Sequence, residues 1–129
     1  GDVYKRQMNW LSKMLPHEKI KWLRLSVAEA PQRREAWLNL AEHYYNECDW
    51  PNLYAATQSG LAITQPSNSY LDYPHAWGGK LWDLAGLGAW NLGLRDKSLQ
   101  MFEQAASLEP QDARIQNNYR YVQNILTQG

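Results

Sequence analysis

A single cysteine, Cys48, stands in 129 residues. That excludes an internal disulfide and fits a reducing compartment, with Cys48 read as a small apolar packing residue rather than a nucleophile. Excess charge is lacking as well: 13 Lys and Arg balance 13 Asp and Glu, so no global field draws the chain to nucleic acid or anionic lipid. The basic residues that do cluster, Lys19, Lys21 and Arg24, then Arg33 and Arg34, read as a solvated helix face and turn. No apolar run approaches the ~18 residues of a membrane span. The nearest, LWDLAGLGAWNLGL, is broken by Asp83 and Asn91, and no continuous apolar stretch near the N-terminus marks a signal peptide. A cytoplasmic location is the expectation. Strand signals are scarce too, with no Asn-Gly or Asp-Gly turn and no sustained period-two alternation.

Chemistry-bearing motifs are equally thin. Gly78-Gly79-Lys80 lacks the first glycine and the Ser/Thr of a phosphate loop. His43 and Glu47 share a helix face, with Cys48 beside them, but no third metal ligand accompanies them, so His43 reads as a surface histidine. His17-Glu18 is followed by Ile20 and Lys21 rather than by the second histidine of a zinc protease, and Ser59-Gly60 lacks the nucleophile-elbow pattern. The sequence therefore predicts no catalytic residue, no metal and no cofactor.

What is present is helical periodicity, in blocks. Ile20, Trp22, Leu23 and Val27 form a stripe ended by Pro31; Trp37, Leu40, Ala41 and Tyr44 form a second at i, i+3, i+4 and i+7. Pro51 to Ile63, Leu81 to Leu92, Ser98 to Leu108 and a segment carrying Ile115, Tyr119, Val122 and Leu126 complete about six. Short polar turns between them imply antiparallel hairpins. One connection is long and rich in turn formers, Thr64 to Gly79, and residues 65 to 77 are expected to be irregular and packed down by Tyr70, Tyr73 and Trp77. The first seven residues, GDVYKRQ, resemble translated adapter read-through at the edge of an assembled fragment; they read as a scar outside the fold, with residues 8–129 as one domain.

The blocks repeat. Trp37, Leu40, Ala41, Tyr44, Leu53, Thr57 and Gly60 stand in register with Trp82, Ala85, Gly86, Ala89, Ser98, Phe102 and Ala105, and Pro110 closes the second copy. Two helices approach closely only where one offers a small side chain, while large residues fill the space between hairpins. This order of sizes resembles the tetratricopeptide (TPR) repeat. The resemblance implies an all-α, right-handed superhelix of antiparallel helical hairpins: a half repeat over 17–31, a repeat over 34–64, the insertion over 65–77, a repeat over 79–110 and a capping helix over 112–126.

A second resemblance covers roughly residues 17 to 126. The combination of EKIKWLRLSVAEAPQRREAW, the YLDYPHAWG insertion, a helix ending in WNLGL and the tail EPQDARIQNNYRYV is similar to the TPR region that follows the catalytic domain in bacterial and phage-like family 2 glycosyltransferases. No Asp-x-Asp occurs to hold a metal on a nucleotide-sugar diphosphate. What the resemblance implies is therefore a non-catalytic appendage covalently linked to an upstream catalytic domain. A free-standing TPR adaptor is the alternative.

A TPR array presents the first helices of successive repeats along a concave groove. The repeat phase puts Leu38, Asn39, Glu42, Tyr45 and Asn46 there, then Asp83, Leu87, Trp90 and Asn91, then Asn117, Asn118 and Tyr121. Aromatic and amide side chains of this kind suit a protein or peptide partner. The Lys/Asn/Arg set by which some TPR domains hold a C-terminal carboxylate is not matched, because Leu38 and Glu42 stand at its leading positions. Of the seven tryptophans, Trp37, Trp82, Trp22 and Trp50 fall in packing phase, leaving Trp77, Trp90 and Trp10 for a ligand.

Overall fold

The computed structural model describes residues 13–66 and 74–128. Six α-helices account for most of them: α1 (Pro16–Glu29), α2 (Arg34–Asn46), α3 (Trp50–Leu61), α4 (Lys80–Asn91), α5 (Arg95–Leu108) and α6 (Ala113–Gln128). No strand occurs among the described residues. A 3-10 turn, Pro74–Trp77, precedes α4, so the end of the insertion is ordered where irregular chain was expected. Tyr70 and Tyr73 of the insertion, Trp10 and the GDVYKRQ segment lie outside the described residues.

Local chemistry starts and stops the helices. Pro16 and Pro51 occupy first-turn positions where a missing N–H costs nothing. The Asp49 side chain caps α3, accepting from the Asn52 N–H at 3.3 Å, and Asp112 caps α6 by accepting from the Ile115 N–H at 3.1 Å. The ends of α2 and α4 are the same motif. Cys48 at φ 55° and Gly93 at φ 80° each turn the chain left-handed. The following N–H then reaches back: Asp49 to the Tyr44 carbonyl, Leu94 to the Ala89 carbonyl, both at 2.9 Å. Cys48 is thus a helix-terminating residue and is exposed. The expectation that it packs inside is corrected, because a side chain on a left-handed cap projects away from the hairpin.

α2 packs on α3, α4 on α5 and α3 on α4, so the two hairpins share one interface. The small positions set how closely they approach. A Cβ on Gly60 would lie 2.9 Å from Leu81 Cδ2 and 3.0 Å from Trp37 Cβ; one on Gly86 would meet the Phe102 ring at 2.7 Å. Leu53, Ala41, Ala85 and Ala105 are fully buried. Two hydroxyls at buried positions find carbonyls: Thr57 Oγ1 donates to Tyr54 at 2.7 Å and Ser98 Oγ to Gly86 at 2.9 Å. Phe102 and Tyr44 are buried, and Trp37 and Trp82 are partly buried against the two core clusters. Trp37 Nε1 also donates to the Pro31 carbonyl at 2.8 Å, tying α2 to the turn before it.

Four side chains lie elsewhere than sequence reasoning placed them. Arg34 is buried, not part of a solvated turn: Nε donates to the Ile63 carbonyl at 2.9 Å and the guanidinium lies 4.1 Å from the centre of the Trp77 ring. Trp77 is consequently packed against the core instead of being available to a ligand. His43 is 7% exposed, not a surface histidine, and burial holds its pKa below the ordinary value. Trp22, expected in packing phase, is 46% exposed on α1.

Candidate binding groove

α2, α4 and α6 are the first helices of successive hairpins and of the cap, and their facing side chains are joined by two ion pairs. Glu42 of α2 meets Lys80 of α4 at 2.7 Å; Asp83 of α4 meets Arg114 of α6 at 3.1 Å. Each pair joins a carboxylate on one first helix to a cation in the first turn of the next. Lys80 and Arg114 are one 34-residue period apart, a signal in the sequence that the motif reading passed over.

The predicted groove residues fall into three groups. Asp83 is fully buried, below the surface rather than on it, with its second oxygen accepting from Asn118 Nδ2 at 3.0 Å. Burial pushes its pKa up, and the Asn118 hydrogen bond and the Arg114 charge pull it back. Leu38 is also fully buried, in the cluster that takes in Ala76 and Trp77. Both depart from the repeat-phase placement, because the neighbouring helix covers the one and the end of the insertion packs into the same core as the other. Asn39, Glu42, Leu87 and Asn118 are partly buried. Asn46, Asn91 and Asn117 are exposed, and Asn91 Nδ2 donates to the Leu87 carbonyl at 2.8 Å.

The aromatic residues form the third group. Tyr45 is 38% exposed with its ring edge-on to Trp50, centroids 6.2 Å apart. Trp90 is partly buried, edge-on to Tyr121 at 6.0 Å, with the Arg95 guanidinium 5.0 Å from its ring centre. Tyr121 is 59% exposed. The structure therefore brings Trp90 to Tyr121 and Asp83 to Asn118, while Tyr45 pairs with Trp50. Arg95 belongs to this surface although periodicity gave no hint of it, since it opens a second helix.

The charged cleft beside the groove, about 290 Å³, is lined by Lys80, Glu109, Asp112, Arg114 and Ile115. All four of its charges are committed. Lys80 and Arg114 hold the carboxylates already named; Glu109 Oε2 accepts the Gly79 N–H at 3.0 Å, and Asp112 caps α6. No acid and base are left facing each other there, which is what proton-transfer chemistry requires. Among the described residues no three metal-ligating side chains come together, and no helix is long and apolar enough to cross a membrane.

No protein-family model matches the chain, and no curated protein matches it. Solved structures do. The first TPR of Spaghetti (RPAP3), bound to the HSP90 peptide SRMEEVD, superposes with a TM-score of 0.70 at 17% identity, over 98% of this chain and 86% of that one. The fold is that of a TPR domain. The first TPR domain of human RPAP3 gives 0.68 at 16% identity, over 98% and 87% of the two chains. MamA gives 0.67 at 18%, over 88% of this chain and 56% of that one. At these identities the likeness is one of fold. The helical hairpins here are α2–α3 and α4–α5, with α1 before them and α6 after.

Proposed function

We propose that this chain is a non-catalytic helical-repeat interaction module that takes a protein or peptide segment along Asn39, Glu42, Tyr45, Asn46, Leu87, Trp90, Asn91, Asn118 and Tyr121, above the buried Asp83. One observation carries the reading. Trp37, Trp82, Tyr44 and Phe102 pack the hairpins, while the aromatic residues of the first-helix face, Tyr45, Trp90 and Tyr121, stay at least partly open and build no core. The RPAP3 likeness supports a peptide as the occupant, since that TPR holds one. The resemblance of residues 17 to 126 to the region behind family 2 glycosyltransferases supports an appendage attached to a catalytic domain, working in the cytoplasm. The coding sequence upstream of Met8 separates that from a free-standing adaptor.

The test is affinity capture with the chain as bait, comparing the parent with a Tyr45→Ala, Trp90→Ala double variant that still melts cooperatively. The reading expects the captured set to be lost in the double variant, and an unchanged set removes it. Turnover of any nucleotide-sugar donor by the purified chain would overturn the non-catalytic part.

A further inference from the structure

Resting on the groove reading, we propose that the first-helix face has a subsite for an aromatic side chain at the start of α2. Trp77 fills it from within the chain, so the insertion competes with the groove's partner. Arg34, Leu38, Glu42 and Tyr45 follow one another at spacings of four, four and three, which makes them one stripe along α2. The two ends of that stripe differ. Tyr45 is 38% exposed, whereas Arg34 is 6% and Leu38 0% exposed. The covered end lies under the 3-10 turn Pro74–Trp77, which packs on α2 and α4, the first helices of the two hairpins. Ala76 is fully buried in the cluster that holds Leu38, and the Trp77 ring lies 4.1 Å from the Arg34 guanidinium. A short non-helical segment laid across the first helices, with an indole over a cation, occupies the place of a ligand. The ligand class follows from the resident: a segment that presents an aromatic ring to Arg34 and a small residue to Leu38.

Two observations mark this contact as separable from the scaffold. The hairpins meet without it. Gly60 of α3 closes on Leu81 and Gly88 of α4 closes on Tyr54, where an added Cβ would lie 2.9 and 3.3 Å from its neighbour. The contact also leaves polar groups poorly served. The Trp77 Nε1–H is buried with no acceptor among the described residues, although a buried indole N–H ordinarily finds one. Burial works against the Arg34 charge as well, and the ring above it is only a partial substitute for water. A segment held on these terms opens more readily than the helices beneath it. While seated, it weakens any competitor for the same place by the fraction of time the subsite is filled.

The experiment has two arms, both read by NMR on the full chain. In the parent, hydrogen exchange of the Trp77 indole N–H, assigned by its absence in Trp77→Phe, is compared with that of the Leu40 and Ala85 amides. Exchange at least tenfold faster at Trp77 is expected, because that N–H is buried and exchanges only when the segment lifts. Exchange of all three at one common rate would make the segment part of the core and overturn the proposal. In the second arm the probe is the segment itself, a synthetic Pro74 to Gly79 peptide blocked at both ends, added to Trp77→Ala. The peptide is expected to shift the Arg34 and Leu38 amides saturably, and to bind the parent at least tenfold more weakly. The same peptide with alanine in place of its tryptophan should leave both amides unmoved. Equal binding by parent and variant, or no binding by the variant, overturns the proposal. So does a Trp77→Ala chain that no longer folds, since the ring would then be a core residue. None of these failures touches the groove reading, whose own test depends on Tyr45 and Trp90.

Discussion

Cys48 and Gly93 occupy the same place in the two repeats, yet only one of them is suited to it. A non-glycine residue in the left-handed region is strained by about 1–2 kcal/mol, and glycine gives back up to about 1 kcal/mol of that through the entropy it loses on folding. Cys48→Gly is therefore expected to raise stability by about 0.5–1 kcal/mol, read from a denaturant midpoint. A lower midpoint would mean that the thiol makes a contact worth more than the strain. The register of the two repeats already pairs position 48 with a glycine, so this cap was legible in the sequence; treating cysteine as an inside residue by type hid it. His43 was misplaced for the opposite reason. Its ring is buried, Lys19 and Arg24 of α1 oppose a further positive charge, and Glu47 and Asp49 favour one. Burial dominates and the folded pKa is lowered from 6.5. The unfolded chain thus takes up a proton before the folded one does, so stability should be full above about pH 6.5 and decline as pH falls below it. His43→Gln should flatten that decline in melting temperature against pH. An unchanged slope would assign it to other groups.

Element by element, the helices and their short connections follow from apolar spacing, caps and prolines, and all of these act within a few residues of where they are read. The features that escaped depend on contacts between elements. Arg34 looks like a turn residue until the end of α3 supplies the Ile63 carbonyl and the insertion supplies Trp77. Asp83 looks like a groove residue until α6 closes over it with Arg114 and Asn118. That closure makes α6 the element most sensitive to one charge. Arg114→Ala leaves a buried carboxylate short of its counter-charge and should cost about 1–3 kcal/mol, with faster hydrogen exchange concentrated in α6. Asp83→Asn keeps the shape and the Asn118 contact without burying a charge, so it should cost less. The reverse order would show that the Arg114 charge contributes little to holding the cap. At the other end of the scale, Asp49→Ala removes one capping acceptor from α3 and is expected to cost about 1 kcal/mol.

The whole molecule rests on a division of residues by role. One set, small on one helix and large on the next, fixes how the hairpins stack; the other stands on the first helices and is left open. The first set was visible in the sequence because close packing demands particular sizes at fixed spacing. The second was visible only in outline, since phase names the face but not the neighbours that cover it, as Leu38 and Asp83 show. Thermal unfolding of two double variants tests the division most directly. Gly60→Leu with Gly86→Leu forces side chains into Leu81, Trp37 and Phe102. It should lower the melting temperature by roughly 10 °C or more, at about 1–3 kcal/mol per site. Tyr45→Ala with Trp90→Ala should melt within a few degrees of the parent. If the second pair falls as far as the first, those rings are part of the core, and the account of an open groove face is contradicted.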